Sequence, residues 1–131
     1  MTRRLECHIQ NAVIKKLRTE GEYQGVLFCA TVGGVNCTVK ERMKLIQSGY
    51  NKGIPDLMIY EPRGKYLGMA VEFKTPRGRV RDEQHEWHRA LTLRGWYVRV
   101  HTDSDEALED ISQYLCLPSK NDDCFMFENE K

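Results

Sequence analysis

Apolar residues recur every fourth position along residues 3–18, where Leu5, Ile9, Val13 and Leu17 form one stripe of helical period, and GEYQG ends the run. Residues 26–32 (VLFCATV) are short, apolar and β-branched, as a strand is, and Gly33-Gly34 punctuates their end. Helix formers mixed with basic side chains over residues 39–48 (VKERMKLIQS) predict a short helix closed by Gly49. Gly53-Ile54-Pro55 then imposes extended or turned backbone on the approach to a second strand, residues 56–60 (DLMIY). Pro62 and Gly64 sit where a hairpin turn needs them, so the next strand, residues 67–74, is expected to run antiparallel to the second.

Beyond Thr75-Pro76-Arg77-Gly78 the period changes. Gln84, Trp87, His88 and Leu91 occupy i, i+3, i+4 and i+7 of one helical face, and Gly95 stops that helix. Residues 96–101 (WYVRVH) alternate as a strand, and Asp103 with Glu106 resembles a capping box opening a helix lined by Ala107, Leu108, Ile111, Tyr114 and Leu115. The order is helix, strand, helix, strand, strand, helix, strand, helix, which predicts an α/β fold. Residues 1–118 read as one domain, and residues 119–131 as a polar, acidic C-terminal tail that Phe125 and Phe127 can tack to the body.

The chain of 131 residues fits one core, and 40% hydrophobic with 30% charged residues excludes a disordered polymer. No apolar run reaches the roughly 18 residues needed to cross a bilayer, and MTRRLECHIQ lacks a signal-peptide core, so a soluble protein of the cytoplasm is expected. Five cysteines without a CxxC pair support neither a disulfide framework nor a zinc ribbon. The formal charge of +1 hides a split. Residues 1–102 carry 18 basic and 10 acidic side chains, whereas residues 103–131 carry 2 and 9. Lys74, Arg77, Arg79 and Arg81 form one basic cluster, and Lys40, Arg42, Lys44 and Lys52 a second. Either is a solvated face or a polyanion contact, and two clusters flanking a carboxylate site favour phosphate.

Glu72 and Lys74 lie two apart in a predicted strand, so they share a face while Phe73 points to the other. Asp56 reaches the same face if the hairpin registers as its turn suggests. Two carboxylates and a backbone carbonyl, that of Phe73, suit a hard divalent ion such as Mg²⁺, and Lys74 can orient or deprotonate a water. An ExK pair alone is also an ordinary strand salt bridge; a PD sequence 16 residues earlier makes that explanation less satisfactory.

The combination Gly53-Ile54-Pro55-Asp56-Leu57, Glu72-Phe73-Lys74, Gly78 and Gln84-x-x-Trp87 resembles the PD-(D/E)xK nuclease superfamily, and within it the virus-type replication-repair nuclease (VRR-NUC) domain, over residues 6–115. The resemblance implies a restriction-endonuclease-like fold, a mixed central sheet flanked by helices. It implies a Mg²⁺- or Mn²⁺-dependent deoxyribonuclease in which Asp56 and Glu72 bind the ion, Lys74 serves the attacking water and Gln84 supports the site from its helix. Glu6 on the first helix is the matching extra acid, or else a solvated helix residue. Where the family commonly has Pro-Asn, this chain has Thr31-Val32, with Asn36 displaced beyond the glycines.

Small members of the family resemble symmetric homodimers that cut branched DNA such as four-way (Holliday) junctions, and a phage origin is suggested on the same ground. Alternatives are a monomeric flap nuclease and a noncatalytic DNA-binding module on the same fold. Lys40, Arg42, Lys44, Lys52, Arg77, Arg79 and Arg81 are the expected nucleic-acid contacts. Trp87 reads as core rather than a base-stacking platform and Cys29 as core; His85 and His88, at i and i+3, could pair on a metal but lack a third ligand at a convincing spacing and read as surface or helix-packing residues; Gly78 reads as a turn or a phosphate approach.

Overall fold

The computed structural model describes residues 2–32 and 37–119. Helix α1 (Thr2–Thr19) leads through a short 3-10 turn (Gly21–Tyr23) into β1 (Phe28–Ala30), followed by α2 (Val39–Gln47), β2 (Leu57–Ile59), β3 (Gly68–Phe73), α3 (Asp82–Leu93), β4 (Trp96–His101) and α4 (Ser104–Leu115). The strands form one mixed sheet in the order β1-β2-β3-β4. β1 pairs antiparallel with β2, β2 antiparallel with β3, and β3 parallel with β4. Parallel pairing requires a crossover, which α3 supplies.

Strand alternation divides the core into two layers. Leu57, Ile59, Met69, Val71 and Phe73 pack with Val13, Leu17, Ala107, Leu108, Ile111 and Tyr114, placing α1 and α4 on one face. Met58 and Ala70 point the other way, toward Leu91, Trp87, Trp96 and Val98 of α3 and β4. Every residue of β3 is therefore buried, as a central strand covered on both faces must be. Asp110 ties α4 to β4, accepting from the Tyr97 hydroxyl at 3.2 Å and Arg99 Nε at 2.8 Å, with His101 Nε2 at 2.6 Å. Among the described residues, no helix is long and apolar enough to cross a membrane.

The eight predicted elements are present in the predicted order, with three local differences. Leu5, expected in the helical stripe, is 56% exposed. An 18-residue helix runs about 27 Å against about 20 Å for the six-residue β3, so the strand is too short to cover the whole of α1. The first strand contracts to three residues, and Cys29, expected in the core, is exposed because β1 is an edge strand with little covering it. Capping at α4 is one-sided: the Asp103 side chain accepts from the Glu106 N–H at 3.0 Å. The reciprocal box occurs instead at α2, between Thr38 and Glu41. Gly33-Gly34, Asn36 and the acidic tail beyond Ser119, with Phe125 and Phe127, lie outside the described residues.

Candidate active site

The register Leu57↔Val71 sets Asp56 opposite Glu72 at the end of the hairpin, on the face that Met58 and Ala70 turn toward α3. Asp56 Oδ2 accepts a 2.8 Å hydrogen bond from the Phe73 N–H. The N–H and C=O of one strand residue face the same edge, so the Phe73 carbonyl is on Asp56's side while its phenyl ring enters the opposite core layer. Glu72 is almost wholly buried, 1% exposed, and Lys74 is buried beside it at 6%.

Thr31, just after β1, fixes the Pro55-Asp56 segment from outside. Its N–H donates to the Asp56 carbonyl and its hydroxyl to the Pro55 carbonyl, both at 2.8 Å. Gly53 fixes the same segment from the α3 side. At φ +103° it has a backbone that L side chains rarely adopt, and an added Cβ would lie 2.5 Å from the Glu83 carbonyl oxygen and 2.9 Å from Trp87 Cδ1. Trp87 thus packs against the Gly53 turn, which makes GIPDL and QxxW two sides of one contact.

Burial pushes both facing carboxyls upward. Asp56 is raised to about 8, first by loss of water and then by its hydrogen bond with Glu72 and that residue's charge; the Phe73 N–H and Lys74 oppose this. Glu72 is raised by burial first, with Glu6 adding to the rise and Asp56, Lys74 and Arg81 working against it. A buried pair of carboxyls that retains protons is a place where a cation is favoured, because it neutralises both. Glu72 Oε1 also has no hydrogen-bond partner. Among the described residues no three His, Cys, Asp or Glu side chains already form a metal cage. Two carboxylates and the Phe73 carbonyl are oxygen donors of the kind Mg²⁺ or Mn²⁺ takes, with water completing the shell.

A cleft of about 280 Å³ opens beside Asp56, lined also by Arg42, Tyr50, Lys52, Arg81, Glu83 and Gln84. Three of the seven expected basic contacts, Arg42, Lys52 and Arg81, face it, and Lys52 Nζ lies 3.5 Å from Glu83 Oε1. Lys40, Lys44, Arg77 and Arg79 are exposed outside its lining. Gln84 Oε1 accepts from the Arg81 N–H at 2.9 Å, so this residue caps α3 while it lines the cleft.

The VRR-NUC domain family model matches residues 7–104, three-quarters of the chain. This chain belongs to the VRR-NUC domain family. A solved VRR_NUC domain protein superposes with a TM-score of 0.70 over 87% of this chain and 90% of that one, at 22% identity, which shows the shared fold. Comparison with curated proteins finds no match.

The VRR-NUC core brings Asp56, Glu72 and Lys74 together, sets Gln84 at the cleft wall and leaves Glu6 near enough for Glu72 to feel its charge. Two residues of the site were not singled out as such by sequence. Thr31 was visible only as a departure from the family pattern. His88 was read as a surface or packing residue, yet its Nε2 lies 3.5 Å from Glu72 Oε1 and is itself buried without a hydrogen-bond partner. Burial first, then Lys74, lowers the His88 pKa. Its i+4 spacing from Gln84 was the available signal, since it put both on the helical face turned to the sheet.

Proposed function

We propose that the protein is a Mg²⁺- or Mn²⁺-dependent endonuclease that hydrolyses DNA phosphodiester bonds, acting as a homodimer on branched DNA such as four-way junctions. The observation that carries the reading is the close approach of half-buried Asp56, just before β2, to buried Glu72 of β3, with buried Lys74 beside them. A bound divalent ion supplies a water of lowered pKa and stabilises charge developing on the phosphate. Asp56, Glu72 and the Phe73 carbonyl would hold that ion, and the two carboxyls would give up their protons as it binds.

Lys74 orients the attacking water and stabilises negative charge at the phosphate from inside a low-dielectric wall, where its ammonium acts more strongly than in solvent. Arg42, Lys52 and Arg81 draw the DNA backbone into the cleft, contacts that carry no base sequence. A twofold axis relating two such sites accounts for paired cuts in opposing strands. The test is cleavage of linear, flap and four-way-junction DNA in Mg²⁺, Mn²⁺ or EDTA, combined with sedimentation. Symmetric junction cuts by a dimer, abolished by EDTA, support the reading; binding without cleavage in either ion contradicts it.

A further inference from the structure

Glu72 Oε1 and His88 Nε2 are the buried side-chain polar atoms that lack a hydrogen-bond partner among the described residues, and they face each other. Their separation is 3.5 Å. A hydrogen bond to a carboxylate settles at about 2.7–2.9 Å, so this contact is too long to satisfy either atom. Two donors on one ion, with bonds of about 2.0–2.2 Å, stand about 2.9–3.6 Å apart between right-angled and tetrahedral arrangements. The observed spacing falls within that range.

His88 is held for this role. It projects from α3, the helix whose Trp87 packs against the Gly53 turn and whose Leu91 joins the small core layer under Met58 and Ala70. The helix cannot shift away from Glu72 without opening both contacts. Lys74, Asp56, Arg81 and Glu6 are the other charged groups whose fields reach this pair.

We propose that His88 Nε2 is a ligand of the same cation as Glu72, converting an all-oxygen site into a mixed nitrogen and oxygen site. This deepens the metal-dependent reading above and rests on it. Imidazole favours first-row transition ions over Mg²⁺, so the chemical consequence is a preference for Mn²⁺, Co²⁺ or Zn²⁺ over Mg²⁺ that an oxygen-only site would show more weakly.

The test is isothermal titration of the full chain with Co²⁺ and Mg²⁺, for wild type, His88→Gln and Glu72→Gln, with folding confirmed by circular dichroism. ¹⁵N spectra of the histidine rings are recorded with and without Zn²⁺, and His88→Gln assigns the resonance. His88→Gln is expected to weaken Co²⁺ binding tenfold or more while changing Mg²⁺ binding less than about twofold, and Zn²⁺ is expected to move the His88 Nε2 resonance. An equal loss for both ions, no loss for either, or an Nε2 resonance that Zn²⁺ leaves in place overturns the assignment. Retained binding of both ions by Glu72→Gln would instead sink the metal-dependent reading itself, so the two failures are distinguishable.

Discussion

Asp56 and Glu72 are two acids that the fold places where neither can be fully solvated, and the cost shows in their raised pKa values. Asp56→Ala, Glu72→Ala and Lys74→Ala are each expected to lower metal-dependent cleavage by a factor of 10³ or more while DNA binding persists in at least one of them; full activity in purified Lys74→Ala contradicts its role. The pH dependence of folding follows with a definite sign. Asp56 ionises near 4 when unfolded and at about 8 when folded, so the folded, metal-free protein holds an extra proton between those values. Its contribution to stability is fully present below about pH 4 and is lost as pH climbs through about 8, at up to about 1.4 kcal/mol per unit. Urea unfolding in EDTA from pH 5 to 8.5 should show this fall, and Asp56→Asn should flatten it. Saturating Mn²⁺ should flatten it as well, because the ion takes the proton's place.

At the scale of elements, the site depends on a turn, a strand end and a helix meeting at Gly53. Gly53→Ala puts a methyl group into the Glu83 carbonyl and Trp87 at a positive φ, so a loss of about 2–4 kcal/mol is expected in urea unfolding. A loss below about 1 kcal/mol would show that α3 is free to move from the Pro55-Asp56 segment. The same contact explains what could be read in advance. Hydrophobic period, helix formers, β-branched runs and turn residues together identified all eight elements, and the EPRGK turn implied the antiparallel hairpin, because these are local consequences of residue type. Asp56 opposite Glu72 was accessible for that reason too, since hairpin register is local. Neither the exposure of Cys29 nor that of Leu5 was, because an apolar strand or stripe does not reveal whether another layer reaches it. His88 was missed on similar grounds. A histidine on a helix has no sequence mark of its partner, and Glu72 is supplied by a strand that α3 meets only through tertiary packing.

For the whole molecule, a formal charge of +1 understates its attraction for a polyanion, because 18 of the 20 basic residues lie in residues 1–102 and 9 of the 19 acids in residues 103–131. Not all basic residues act alike on DNA. Lys52 is already partnered by Glu83, so its contact with phosphate displaces an existing attraction, whereas Arg77, Arg79 and Arg81 are exposed after β3 and none has a carboxylate within ion-pair distance among the described residues, although the field of Arg81 reaches Glu72 and Glu83. Each phosphate contact releases condensed counterions and adds about 0.9 to the slope of log affinity against log salt. Replacing Arg77, Arg79 and Arg81 by Gln should therefore reduce that slope by about 2–3, uniformly across DNA sequences, while Lys52→Gln should reduce it by less than about 1. Binding of a cleavage-inactive Lys74→Ala protein to junction DNA from 50 to 300 mM KCl measures both. An unchanged slope in the triple variant would move the DNA path away from the loop that follows β3 and leave Arg42 and Lys52, which also line the cleft, to guide the backbone toward Asp56.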